Sequence, residues 1–147
     1  MSTMNKTHPN RLGRILGLGR ADWLALFQAL PRIVLVWAGL PVFGVKRLRR
    51  WTVRDLPADS TEFDSVLWQR RATAILRIGA RLPGCKCLAR SLALSWWMHS
   101  CGQANDFRIG IAGSAQTFRS HAWVEVGGVP VDDRLENVAA FRVVGGF

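Results

Sequence analysis

Three residue types that together perform acyl-transfer chemistry occur in order in the second half of this chain. Cys87 opens the run Cys87-Leu88-Ala89-Arg90-Ser91-Leu92-Ala93-Leu94, just after the breaker pair Pro83-Gly84. His121 begins an alternating stretch, His121-Ala122-Trp123-Val124-Glu125-Val126, and the paired carboxylates Asp132-Asp133 follow. A thiol becomes a strong nucleophile when a neighbouring base takes its proton. That base in turn needs a carboxylate to orient its ring and stabilise its charge. A cysteine at a helix start, a histidine on a strand and an acid on the next strand would fill those three roles.

The other candidates fail on distance. His8 lies in a basic tail with nothing to position it. His99 falls on the same predicted helix as Cys87, 12 residues on, which is about 18 Å at the helical rise. Cys101 is farther still. Cys85 has the right chemistry but precedes the helix. Cys87 sits at the helix N-terminus, where the helix field and free backbone N–H groups favour a thiolate. A zinc site from Cys85, Cys87, His99 and Cys101 would need ligands at both ends of one helix, too far apart for one ion. No metal and no cofactor is expected. The acid is left open by the residues themselves. A simple two-residue turn at Gly127-Gly128 places Asp132 on the face of His121; a bulge there brings Asp133 round instead.

The elements that must position these groups read as helices first, then an antiparallel sheet: an α+β domain. Residues 1–20 form a loose basic tail, and Asp22 caps a helix starting at Trp23. The apolar segment from Trp23 to Val45 contains Gln28, Pro31, Arg32, Gly39 and Pro41. It reads as a pair of short helices covering the domain or a partner rather than a membrane span. The basic run Lys46-Arg47-Leu48-Arg49-Arg50 adds peripheral membrane contact as an alternative. Asp59 and Glu62 form a capping pair for a helix from about Thr61 to Arg81, with Arg71 interrupting its apolar face and Arg70, Arg77 and Arg81 along a basic stripe. The next helix runs from Cys87 to Ser100 and stops at Gly102. It is apolar nearly all round and therefore buried, apart from a narrow polar line of Ser91, Ser95 and His99. Strands follow at Phe107–Ile111 and His121–Val126, with a return strand Val129–Asp133 and one more from the apolar tail 135–147. The division is a tail over 1–20, a helical extension over 21–58 and the domain over 59–147.

Of the 147 residues 49% are hydrophobic, with seven Trp, seven Phe and no Tyr, enough for a packed core. Net charge is +10, which favours anionic partners. The Arg-rich runs lack a nucleic-acid motif, and no nucleic acid is expected. Three cysteines, an odd number, and the absence of a signal-peptide pattern point to a reducing cytoplasm with free thiols.

The run Cys87 to Leu94, the run Phe118-Arg119-Ser120-His121-Ala122-Trp123-Val124-Glu125-Val126 and Pro130-Val131-Asp132-Asp133-Arg134 together resemble the lasso-peptide maturation proteases. These are leader peptidases with a transglutaminase-like, papain-related cysteine-protease core. The resemblance extends from about Ala21 to Phe141, and is compositional over Trp23 to Arg50. It implies Cys87 as nucleophile and His121 as base. The family's acid stands 12 residues after its histidine, which falls on Asp133, with Asp132 second. It further implies cleavage between the leader and core of a ribosomally made precursor peptide, upstream of a separate ATP-dependent cyclase. The family's leader-binding winged-helix domain is fused or separate. Nothing before Asp59 reads as such a domain, so a separate leader-binding partner is expected, with the apolar and basic N-terminal region as its docking surface or that of the cyclase. Two other readings stand beside this one: a different transglutaminase-like amidase or acyl transferase, and a non-enzymatic peripheral membrane or scaffold protein.

Overall fold

The computed structural model describes residues 17–52 and 62–146. Most of the basic tail expected over residues 1–20 lies outside them, as does Asp59. Helix α1 spans Arg20–Thr52, α2 Ser65–Gly79 and α3 Cys87–Ser100. Strands β1 (Asp106–Ala112) and β2 (Arg119–Val126), the short β3 (Val129–Pro130), the one-turn helix α4 (Leu135–Val138) and β4 (Arg142–Gly146) complete the chain. The sheet is antiparallel, in the order β3-β2-β1-β4. Helix α3 packs on β1 and β2 and also on α1 and α2, so it lies at the centre of an α+β fold.

Burial on all sides explains the composition of α3. Leu92, Ala93, Leu94, Trp97 and Met98 are almost fully enclosed. Each large side chain hidden this completely contributes roughly 1.5–3 kcal/mol. Trp97 meets Trp68 of α2 edge-on at 6.4 Å. The guanidinium groups of Arg32 and Arg71 lie 4.9 and 4.8 Å from its ring centre. Arg71 thus interrupts the apolar face of α2 in sequence only. Its guanidinium also lies over the Trp68 ring at 4.5 Å, where cation–π attraction replaces apolar contact. The two serines of the polar line on α3 find partners as well: Ser95 Oγ donates to Asn105 Oδ1 at 2.8 Å, and Ser91 reaches the sheet.

Several boundaries differ from those the sequence predicts, α2 ending at Gly79 rather than Arg81 among them. α1 starts before Asp22, with Gly19 at its cap; the Asp22 carboxylate reaches back to the Gly19 N–H at 3.2 Å, as the third residue of a capping box does. The expected pair of short helices is one long helix through Pro31 and Pro41. Both prolines are exposed, on a side where the carbonyls they free are open to hydration. The break comes later, at Gly44, with φ 71°, a conformation glycine adopts without strain. Beyond it the chain turns back, so that Leu48 approaches Gly39 and the Phe43 and Trp51 rings meet at 5.0 Å. α2 starts at Ser65 rather than Thr61, because Asp64 Oδ1 accepts the Leu67 N–H at 3.0 Å and caps it there. The face Ala25, Ala29, Ile33 and Val36 of α1 joins the same core as α2, α3 and the sheet.

Candidate active site

Cys87 is the first residue of α3. The preceding turn, Leu82 to Lys86, is set by Gly84 at φ 68° and held from inside. Arg90 Nη2 donates to the Cys85 carbonyl at 2.8 Å. Its side chain crosses Gly79 of α2, where a Cβ would come within 3.0 Å of Arg90 Nε. Lys86 gives α3 no side-chain cap, so the N–H groups of its first turn, which begins with Cys87, have no side-chain acceptor. Cys87 is half-buried and lines a cavity of about 270 Å³ together with Ser91, His121, Asp132 and Asp133. Cys85, two residues earlier, is buried, and burial pushes its thiol above the ordinary value despite Arg90. Cys101 and His99 stand at the opposite end of α3.

His121 comes from β2, directly opposite Gly110 of β1. Its ring stacks on Trp123 at 5.9 Å with planes 19° apart, and meets Phe141 at 5.3 Å. Trp123 is locked in turn by Glu125, whose Oε1 accepts the indole N–H at 2.7 Å and whose Oε2 meets Arg108 at 3.2 Å. Gly110 leaves the room for this packing, since a Cβ there would lie 2.8 Å from both Phe141 and Trp123. Gly110→Ala should therefore destabilise the fold by about 1–3 kcal/mol, the usual cost of overpacking, and lower any activity that depends on the aim of His121. Thermal unfolding and turnover measured together would check this; a variant as stable and as active as the parent would refute it.

The turn at Gly127-Gly128 is the simple two-residue kind, with φ of 58° and 79°, pairing Val126 with Val129 and Glu125 with Pro130. On that register simple alternation of faces puts Asp132 beside His121, but the structure brings Asp133, the acid the resemblance implies, to the histidine. Val131 still donates to the Val124 carbonyl at 2.8 Å. The Val124 N–H, however, is taken at 2.8 Å by the side chain of Asp132 instead of a main-chain carbonyl. The return strand therefore ends at Pro130, and the alternation of faces ends with it. Asp133 is the residue that meets His121, Oδ2 to Nε2 at 2.5 Å. Its other oxygen, Oδ1, accepts the Arg134 N–H at 2.7 Å and Asn137 Nδ2–H at 2.8 Å. Burial raises the Asp133 carboxyl, but the hydrogen bonds from Asn137, Arg134 and His121 outweigh it and hold the group below the ordinary carboxylate value. With Nε2 turned to Asp133, Nδ1 is the ring nitrogen left to exchange a proton within the cavity.

Asp132 has a different environment. Its Oδ2 lies 2.5 Å from Ser91 Oγ, which is also 2.9 Å from the Ala122 carbonyl. A hydroxyl carries one proton and cannot satisfy both acceptors. The Ser91 hydroxyl donates to one of the two at a time while Asp132 is ionised; once Asp132 is protonated it can donate to Ser91, freeing Ser91 to donate to Ala122. Burial pushes its carboxyl up to about 6, against the opposing hydrogen bonds from Ser91 and Val124. Asp132 thus ties α3, one turn beyond Cys87, to β2 on either side of Trp123. The sequence reading missed Ser91, Gly110, Trp123, Asn137 and Phe141 as parts of the site. Two of these carried a local signal: Ser91, on the polar line four residues after Cys87, and Asn137, four residues after Asp133 with a helical turn between.

No curated protein and no solved structure shows significant similarity to the chain. The family model described as the transglutaminase-like superfamily matches residues 30–145, a span that contains Cys87, His121 and Asp133. Members of that superfamily are typically cysteine-based enzymes. The chain belongs to the transglutaminase-like superfamily.

Proposed function

We propose that this protein is a cysteine peptidase that removes the leader from a lasso-peptide precursor, acting with a separate leader-binding protein and ahead of an ATP-dependent cyclase. The observation that carries the reading is the single cavity lined by Cys87, His121 and Asp133, with His121 Nε2 held by Asp133. The runs around these three residues, which resemble the lasso leader peptidases, supply the substrate class.

The chemistry follows from the arrangement. His121 Nδ1 takes the Cys87 proton, and the thiolate attacks the carbonyl carbon at the end of the leader. The resulting oxyanion sits at the uncapped N-terminus of α3, where backbone N–H groups stabilise the new charge. The imidazolium, steadied by Asp133, hands its proton to the core amine as the C–N bond breaks. Water, deprotonated by His121, then cleaves the thioester, releasing the leader acid and returning the proton to Cys87.

The test is to combine the protein, a candidate precursor and the leader-binding partner and to follow the masses. Two products that sum to the precursor plus one water are expected. A product carrying an added amine instead would mark an acyl transferase, and an intact precursor under all conditions would overturn the proposal.

A further inference from the structure

The outward side of α1 takes no part in the site or the core. Trp23, Leu24, Phe27, Leu30, Leu35 and Val42 are all exposed there, Phe27 at 80% and Val42 at 72%. At 100° per residue they fall on one arc of about 140°, running for roughly 28 Å along the helix. Every other residue on that arc between Trp23 and Val42 is proline, valine or alanine. The opposite side, Ala25, Ala29, Ile33 and Val36, is buried in the protein. The helix is thus apolar on two faces, and only one of them is covered by the described residues.

We infer that this face docks on an anionic lipid bilayer, with α1 lying in the plane of the interface. Three observations choose lipid over a protein. First, the Trp23 indole is the sole hydrogen-bonding side chain on the arc, whereas protein interfaces carry a direct hydrogen bond for every 100–200 Å² or so; acyl chains offer none and need none. Second, Lys46, Arg47 and Arg50 are exposed just beyond Gly44, and residues 23–52 contain no acid, which matches a negative headgroup layer. Third, exposed tryptophans stand near both ends of the helix, Trp23 and Trp51, as tryptophans do at membrane interfaces. The burial of the inner face makes the helix lie on the bilayer rather than cross it. The peptidase reading is independent of this docking.

The test uses the full chain in flotation with phosphatidylcholine vesicles, with and without phosphatidylglycerol. Binding to the anionic vesicles that weakens with salt is expected. The exposed double substitution Phe27→Glu, Leu30→Glu should reduce it at least tenfold with no change in thermal unfolding. Reversing Lys46, Arg47 and Arg50 to glutamate should reduce it by about 10²-fold, from the loss of three surface charges. A protein that stays with the soluble fraction, including one that uses this face to bind a soluble partner, overturns the inference. So does binding that survives the Phe27→Glu, Leu30→Glu change.

Discussion

Cys87→Ala is expected to reduce peptide cleavage by at least about 10³-fold, to the level set by binding and the oxyanion site alone. The fold should be largely unaffected, because Cys87 is only half-buried at the first turn of α3, at the edge of the core where it lines the cavity. Cys101→Ser is the matching control. It removes an exposed thiol at the other end of α3, about 20 Å away by helical rise, and should leave turnover unchanged. In that background a thiol reagent should modify Cys87 in step with the loss of activity. Cys85 should resist, because it is buried and its thiol is pushed up. Cleavage that persists in Cys87→Ala would show that the thiol is not the nucleophile.

The second large effect separates the adjacent aspartates. Asp133 receives a donor on each oxygen: His121 on one, Arg134 N–H and Asn137 on the other. An amide has only one accepting oxygen. Asp133→Asn must therefore turn its NH₂ toward a donor, and either His121 loses its orientation or the turn into α4 is disrupted. The expected loss is on the order of 10²–10⁴-fold in kcat. Asp132→Asn should behave in the opposite way. Its amide nitrogen can donate to Ser91 while its oxygen accepts the Val124 N–H, which reproduces the protonated carboxyl, and turnover should stay within about threefold.

The same pair gives a pH signature. The Asp132 carboxyl is raised in the folded protein, so the fold binds its proton more tightly than the unfolded chain does. Wild-type stability should fall as pH rises from about 4 through about 6, by an amount on the order of 3 kcal/mol. Asp132→Asn should lack this decline, and melting curves at several pH values would show it. Asp133 is lowered instead, so its contribution is lost only as pH falls below the ordinary carboxylate range. Equal losses of activity in both asparagine variants would contradict the division of roles between the two acids.

What was legible in the sequence was local. Pro83-Gly84 followed by an apolar run marks the start of α3, and Gly102 marks its stop, so the helix is found from Cys87 to Ser100 as expected. Short-range rules suffice there, because a helix end is set by residues a few positions away. The same rules separate Cys87 from His99 and Cys101, since helical rise is a fixed length. Alternation located β1 and β2, and Gly127-Gly128 located their hairpin neighbour. The course of α1 was less legible: whether Pro31 and Pro41 end a helix depends on which side of it is covered, and that is decided by α2 and α3. The pairing of Asp133 with His121 was beyond any register argument. A strand's faces alternate only while its ladder lasts, and here the side chain of Asp132 takes the Val124 N–H and ends the ladder. The sequence by itself thus determined the element order and singled out Cys87 and His121. The residues themselves left the acid open and the family resemblance put Asp133 first; only the tertiary structure supplies the physical reason, in contacts among α3, β2 and the turn into α4 that lie far apart along the chain.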